Sequence, residues 1–255
     1  SAITAVDQLT PLAVCDDAES MRREASTEPV VDPAAAESLR HEILALGMQV
    51  RAGHARATEP RVPVLVDAAR GRAGPAVLAE ALHLRGLVEE ARGDHDAAAD
   101  SLGAAVREAI AARHDRLHAE LAVRLVWIHG VQRRRQADAR AWIGHAEAAI
   151  RAIRGDEILA ARLLDHRGSI ASVEHDYRTA ERLHRDAMHV RGGSSQLAQA
   201  DSAMSTSNLG LALLSQGEHA EAEVQMTAAL DRYRALFGPR HPTVAAVLSN
   251  LGQAH

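Results

Sequence analysis

Lysine is absent from this chain of 255 residues, whose 29 basic residues are all arginine. Sites that depend on a lysine amine, such as a phosphate-binding P-loop, a kinase ATP site or a Schiff base, are therefore excluded within these residues. The net charge of −5 at pH 7 provides no overall positive field for a nucleic-acid backbone. We therefore expect no nucleic-acid partner.

Cysteine occurs once, at Cys15, so neither an internal disulfide nor a cysteine-rich zinc site can form. We interpret Cys15 as a buried small apolar residue, with a redox thiol and a disulfide to an upstream cysteine as the alternatives. No apolar run approaches the ~18 residues of a membrane helix, and no signal peptide is visible. We expect no membrane insertion by this region and favour a cytoplasmic location, with the outer side of a membrane-anchored parent as the alternative. Because residue 1 is Ser rather than Met, we expect a processed product or part of a longer protein.

Aromatic residues number only five, whereas alanine accounts for 53 of the 255 residues. Such a chain must bury its surface through many small side chains at close range. That composition favours packed helices and argues against a fold that binds nucleic acid by aromatic stacking.

Small residues recur at a nearly constant spacing. Gly86, Gly168, Gly210 and Gly252 lie in similar surroundings, and Trp127 occupies the missing place between the first two. The successive steps are 41, 41, 42 and 42 residues. A fixed period of this length indicates a repeat architecture.

Two columns of alanine accompany this period at fixed offsets. They lie 12 and 19 residues after each of the first four members of the period: Ala98, Ala139, Ala180 and Ala222, then Ala105, Ala146, Ala187 and Ala229. A small residue on one helix that faces an alanine on the next lets the two axes approach to ~8 Å. The second alanine column lets each hairpin pack against the following one. The columns therefore predict antiparallel helical hairpins stacked in series.

These columns resemble the tetratricopeptide repeat, which has a small residue at its eighth place and alanines at its twentieth and twenty-seventh. The resemblance covers residues 79–255, and 33–72 less closely. Residues 207–255 are similar to the longer repeat of kinesin light chains, including its Gly-Pro-x-His-Pro linker at 238–242. The resemblance implies an all-α, right-handed superhelical solenoid. We predict a helical segment with a degenerate helix pair over 1–74 and about four repeats plus a terminal half repeat over 75–255.

The period and the turn residues predict the helix boundaries. A short helix should end near Pro11, and residues 191–194 should form a break. The remaining helices are predicted at 33–52, 61–71, 75–92, 95–113, 116–133, 137–153, 156–174, 177–190, 196–216, 219–236 and 241–255.

Two places depart from the repeat pattern. Trp127 occupies a position that calls for a small residue, so we expect a local shift that brings Gly130 into the crossing, with an opened crossing as the alternative. The chain also ends after the first helix of a repeat. We therefore expect the apolar side of its last helix (Val244, Val247, Leu248 and Leu251) to be partly uncovered, and either self-association through this edge or further repeats beyond it.

Asn208 and Asn250, the only asparagines, each lie two residues before a glycine of the period. In tetratricopeptide arrays the first helices line a concave groove, and the kinesin-light-chain variety grips a peptide backbone with asparagine at this place. A carboxamide suits this task because it both donates and accepts a hydrogen bond. The alternative is a structural polar residue at the seam between repeats.

The same frame predicts further groove residues: Glu80, His83, Arg124, Arg162, Asp165, Ser169, Ser207 and Ser249, with Glu90, Gln132, Ser172 and Ser215 beside them. This face is mixed in charge and lacks the paired basic residues of a clamp for a C-terminal carboxylate. Arg124 and Arg162 have two interpretations of equal weight, namely binding an acidic ligand or pairing with Asp165 and neighbouring Glu residues.

Three other motifs are interpreted as structural. His184-Arg185-Asp186 matches the kinase catalytic triplet but lacks the downstream Asn, so we interpret it as an exposed helix face. His114 and His118 supply at most two metal ligands, which is too few for a stable site. The run over 133–135 is interpreted as a solvated turn. We therefore predict no catalysis, no metal site and no cofactor.

Residues 5–21, 32–53 and 79–109 together resemble the region that follows the kinase domain in large bacterial serine/threonine kinases of the myxobacterial type. The resemblance implies the regulatory or interaction region of such a kinase, whose catalytic residues lie outside this chain. We predict a non-catalytic scaffold that binds a protein or peptide. A signal-sensing array that binds a small molecule or peptide, and a dimerisation module, are the alternatives.

Overall fold

The computed structural model describes residues 32–190 and 196–252, apart from the side chains of residues 196–198 and 242. Every regular element in these ranges is helical, which confirms the predicted all-α class. The described residues form two compact units, 32–154 and 155–252. The expectations for Pro11, Cys15 and the break at 191–194 lie outside the described residues. The predicted domain boundary at residue 74 stays a prediction.

The first unit contains α1 (Pro33–Arg51), α2 (Ala55–Thr58), a 3₁₀ turn (Glu59–Arg61), α3 (Val62–Arg72), α4 (Gly74–Ala91), α5 (His95–Ala111), α6 (Asp115–Trp127), a π-helix (Ile128–Gln132) and α7 (Gln136–Ala152). The second unit contains α8 (Glu157–Val173), α9 (Tyr177–Val190), α10 (Gln196–Ser215), α11 (His219–Phe237) and α12 (Pro242–Leu251). The pairs α4–α5, α6–α7, α8–α9 and α10–α11 pack as hairpins. We call the first helix of each hairpin, and α12, an A helix, and the second a B helix.

Short turns with a left-handed residue connect the A and B helices. This residue is Gly93 or Gly217 in two of the turns, and Arg134 (φ 53°) or His175 (φ 63°) in the other two. The B helix can then begin with an aspartate cap, as at Asp94, whose carboxylate accepts from the backbone N–H of Ala97 at 3.1 Å. The short turn brings the two helices of a hairpin into antiparallel contact.

Both alanine columns are buried at the helix crossings, as the sequence predicts. A Cβ atom built on Gly86 would lie 2.7 Å from Cγ of Leu102 on α5, and one on Gly210 would lie 2.7 Å from Cγ of Met226 on α11. On Gly168 it would lie 2.8 Å from the ring of His184. The small residues are therefore where the A and B helices come closest.

The helical register changes next to Trp127, where a shift is predicted. The change is a π-helical turn over Ile128–Gln132, within which Gly130 is buried. Trp127 is partly buried and packs against the core of the first unit. A π-turn holds more residues per turn than an α-helix, so it alters the direction of the following side chains.

The last described helix is better covered than the sequence predicts. Val244 and Val247 are only 1% and 3% exposed because they pack against Leu230 and Tyr233. The expectation of a partly uncovered side therefore holds for Leu248, which is 43% exposed, and for the partly exposed Leu251, whereas the two valines are covered.

Candidate binding surface on the A helices

The side of α10 that faces away from α11 is the open face of this helix. Successive residues of an α-helix are rotated by about 100°, so the side opposite Gly210 is fixed by the sequence. The residues on this side are partly or fully exposed: Met204, Asn208, Leu211 and Ser215. In α8 the corresponding partly exposed residues are Arg162, His166, Ser169 and Val173. Each open face combines polar and apolar side chains.

Asn208 and Asn250 lie at equivalent places on α10 and α12 and are partly exposed. Neither carboxamide forms a hydrogen bond within the described part of the chain. The equivalent residues of the first unit are Leu84 and Leu125, which are 2% and 0% exposed. The asparagines therefore stand on the open faces, at a place where the first unit buries an apolar residue and α8 carries the partly exposed His166.

The linker before α12 fixes the position of Asn250. The ring of His241 stacks on Phe237 at 4.7 Å between centroids, and Phe237 stacks on Tyr233 at 6.2 Å. Nδ1 of His241 also accepts from the backbone N–H of Thr243 at 3.3 Å. The aromatic stack and the cap together set the start of α12.

The two candidate arginines are engaged with carboxylates of neighbouring A helices. Nε of Arg162 donates to Oδ2 of Asp201 at 2.8 Å, and Nε of Arg124 donates to Oε2 of Glu90 at 2.7 Å. Arg162 pairs with Asp201 rather than with the predicted Asp165. Of the two interpretations, the structure therefore shows internal pairing across the seam.

Asp165 and Ser207 do not lie on an open face. Asp165 is 1% exposed, Ser207 is also buried, and each precedes its crossing glycine by three residues. Three residues correspond to a rotation of about 300°, so both side chains turn back towards the hairpin interior rather than to the open side. The prediction that they line a surface groove is therefore corrected.

Asp165 instead joins three helices through one carboxylate. Nδ1 of His184 on α9 donates to its Oδ1 at 3.1 Å, and Oγ of Ser205 on α10 donates to its Oδ2 at 2.7 Å. His184 is 1% exposed, so the prediction that the triplet over 184–186 forms an exposed face is wrong for its histidine. Its ring fills the place taken by Leu102 and Met226 in other hairpins.

The candidates of the first unit are likewise engaged in the fold. Glu80 accepts from Nε of Arg40 on α1 at 3.1 Å. His83 is partly exposed as a residue, but burial of its ring, followed by the positive charges of Arg124 and Arg51, lowers the pKa of His83 to about 3. The imidazole is therefore neutral at pH 7, and these two residues form part of the packing between α1, α4 and α6.

The remaining candidates are the hydroxyls of Ser169, which is partly exposed, and Ser249, which is exposed. Met204 and Leu211 were missed by the sequence prediction, although Leu211 directly follows a crossing glycine, as Ser169 does. Both residues lie at the same offsets from Gly210 as the predicted groove residues, but only polar residues at these offsets were predicted to line the groove. The open faces are therefore less polar than predicted.

Most of the residues in the motifs interpreted as structural are buried or paired. Arg134 and Arg135 are exposed, as expected of a solvated turn. Arg133 is not, because its guanidinium lies 2.6 Å from Oδ1 of Asp96 with a side chain only 11% exposed. His118 faces His145 on α7 rather than pairing with His114. No group of three or more His, Cys, Asp and Glu residues in the described ranges is placed to hold a metal ion. Within the same ranges, none of the helices is both long enough and apolar enough to span a bilayer.

Comparison with known proteins identifies the repeat in the second unit. Residues 201–255 match the family model described as tetratricopeptide repeat. No curated protein matches the chain.

Solved structures similar to this chain include the following two. The crystal structure of BtubC (BKLC) from P. vanneervenii is 21% identical, covers 89% of this chain and 95% of its own, and superposes with a TM-score of 0.59. The crystal structure of NprR in complex with its cognate peptide NprX is 14% identical, covers 91% of this chain and 81% of its own, and gives a TM-score of 0.36. The match over residues 201–255 and the similarity to the fold of BtubC together support an array of tetratricopeptide-type hairpins.

Proposed function

We propose that this chain is a non-catalytic scaffold that binds a protein or peptide on the open faces of α8, α10 and α12. The observation that carries the proposal is the pair of partly exposed amides at Asn208 and Asn250, which have no hydrogen-bond partner among the described residues. An amide that both donates and accepts can hold the backbone of an extended peptide without selecting its side chains. The helices that present these amides are already folded, so binding requires little ordering of the protein.

The neighbouring side chains favour a ligand with apolar and uncharged polar residues. Leu211 offers an apolar contact beside Asn208, and Ser169 offers a hydroxyl on α8. Met204 is already packed against the core that α10 forms with α11 and α12, so only its exposed part can add to this contact. Arg162 is already paired, so an acidic ligand would have to displace Asp201. We therefore expect backbone and apolar contacts to contribute more to affinity than charge.

The test is an affinity comparison with peptides selected from a random-peptide library on the wild-type chain. Replacing Asn208→Ala and Asn250→Ala together should weaken binding about tenfold or more, because two hydrogen bonds are lost. Gln225→Ala removes the same kind of amide from the B helix α11 and should leave affinity unchanged. Unchanged affinity in the double variant would remove the amides from the binding surface.

We further propose that the array is the interaction region of a bacterial serine/threonine kinase. This finer proposal rests on the sequence resemblance over residues 5–21, 32–53 and 79–109 alone. Sequencing the flanking DNA tests it directly. A parent reading frame without a kinase domain would contradict it and leave the binding proposal untouched.

A further inference from the structure

Two histidines face one another across the α6–α7 hairpin of the first unit. Nε2 of His118 lies 2.7 Å from Nε2 of His145, with the ring centroids 4.9 Å apart. This separation is that of a hydrogen bond. A neutral imidazole donates from one nitrogen and accepts at the other. One ring must therefore carry a proton on Nε2 while the other leaves its Nε2 bare.

This contact tolerates one added proton but not two. The first added proton can bind at the free Nδ1 of the donating ring, where it leaves the shared hydrogen bond in place and strengthens it through charge. A second proton must bind at the bare Nε2 of the accepting ring. The two nitrogens are then both donors, and two positive rings face each other at close range.

The surroundings of the pair oppose the second proton. Burial is the first cause that lowers the pKa of His118, the charge of His145 is the second, and Asp115 on α6 opposes both. On its other side His145 makes an edge contact with Trp142, at 5.1 Å between centroids. Trp142 in turn stacks on His129 of the π-helix at 6.3 Å.

Further charged groups act on His129. Burial first and then Arg133 lower the pKa of His129, whereas the carboxylate of Asp138 on α7 raises it. The smaller influences on His129 come from the helix-connecting turn and from α5, through Arg135 and Asp100.

We propose that His118 and His145 form a proton-sharing latch that holds α7 against α6 near neutral pH and releases it when the second proton binds on acidification. The latch lies in the first unit and depends on neither the peptide surface nor the kinase assignment. It uses two histidines that the binding proposal leaves without a role.

The first test is an NMR titration of the imidazole resonances in the complete chain. In the wild type the two rings should titrate as a coupled pair, with the second proton binding about one pH unit or more below the first. In His145→Gln, His118 should show a single titration shifted upwards from that second step. His114→Gln, at the residue that directly precedes α6, should leave the coupled titration unchanged. The same midpoint for His118 in the wild type and in His145→Gln would overturn the latch.

The second test measures release itself by amide hydrogen exchange. Protection of α7 relative to α10 should fall in the wild type below about pH 6, where histidine takes up protons. A His118→Gln/His145→Gln double variant keeps a cross-helix hydrogen bond that cannot titrate, so α7 should stay protected to lower pH. Equal loss of protection in both proteins would show that the pair does not control the contact.

Discussion

Gly86 marks the tightest approach between α4 and α5, where a methyl group has no room. A Cβ atom there would lie 2.7 Å from both Cγ and Cδ2 of Leu102 and 3.5 Å from the carbonyl oxygen of Ala98. Leu102 is itself fully buried, so its branch point cannot move without disturbing the core. We expect Gly86→Ala to lower the free energy of unfolding by about 1–3 kcal/mol.

The control for this variant is Gly144→Ala in α7. Nothing lies within 4 Å of a Cβ atom at Gly144, so alanine should stabilise the helix by about 0.5–1 kcal/mol. Trp127 and Trp142, the only tryptophans, lie in the first unit and report its urea unfolding by fluorescence. Two variants that shift in the same direction would contradict the assigned crossing.

The sequence predicts the crossings better than it predicts the fate of single polar residues. The glycine and alanine columns are dictated by packing distance, which leaves a repeated trace along the chain. The burial of Asp165 depends instead on His184, which replaces an apolar residue in one hairpin only. A residue that occurs in one hairpin only leaves no repeated pattern in the sequence. The partner of Arg162 is equally hard to predict, because it depends on the position of Asp201 in the next A helix. The positions of the polar residues of the candidate surface could therefore be determined only from the structure.

At the scale of helices, Asp165 is the link that joins α8, α9 and α10. Its carboxylate accepts hydrogen bonds from His184 and Ser205, and all three side chains are buried. A buried carboxylate is tolerated only while its partners remain. We expect His184→Met, which introduces the residue of the next hairpin, to cost about 3–5 kcal/mol because the buried carboxylate loses its hydrogen bond from His184.

The matched double variant, Asp165→Ser with His184→Met, copies the Ser207 and Met226 pair of the following repeat. It removes the buried charge together with its partner, and Ser205 keeps a hydrogen bond to the carbonyl of Asp201 at 3.1 Å. Its stability should lie within about 1 kcal/mol of the wild type. Amide hydrogen exchange of α8, α9 and α10 measures the stability of both variants. If the double variant loses the sum of the stabilities lost in the two single variants, the network has no cooperative role.

The π-helix after Trp127 shows what a repeat frame can and cannot predict. The period predicts that the helix must adjust at Trp127, since an indole cannot fit at a crossing where the other hairpins have glycine. It does not predict the kind of adjustment, because a shift by a full turn and a single π-turn both relieve the same clash. The structure selects the π-turn, which keeps α6 and α7 paired.

At the scale of the whole molecule, acid should destabilise the chain through histidines that the fold keeps neutral. Burial is the largest cause that lowers the pKa of each of His83, His118 and His129, all in the first unit. The unfolded chain takes up protons on these rings near pH 6.5, whereas the folded chain resists until lower pH. The contribution of these neutral rings to the free energy of unfolding is therefore full above about pH 6.5, and it is lost as the pH falls towards their pKa values in the folded chain.

His83 should contribute much of this loss because its pKa is lowered to about 3. Between pH 7 and pH 5 this one ring corresponds to up to about 2 kcal/mol of unfolding free energy. His83→Gln removes the titration, so the variant should lose less stability than the wild type over this interval, whatever its stability at pH 7. Urea unfolding followed by tryptophan fluorescence at pH 7, 6 and 5 measures the difference, with the exposed His219→Gln as the control. Equal losses of unfolding free energy in His83→Gln and in the wild type would show that the fold does not hold the ring of His83 neutral. The packing assigned to His83 in the first unit would then have to be revised.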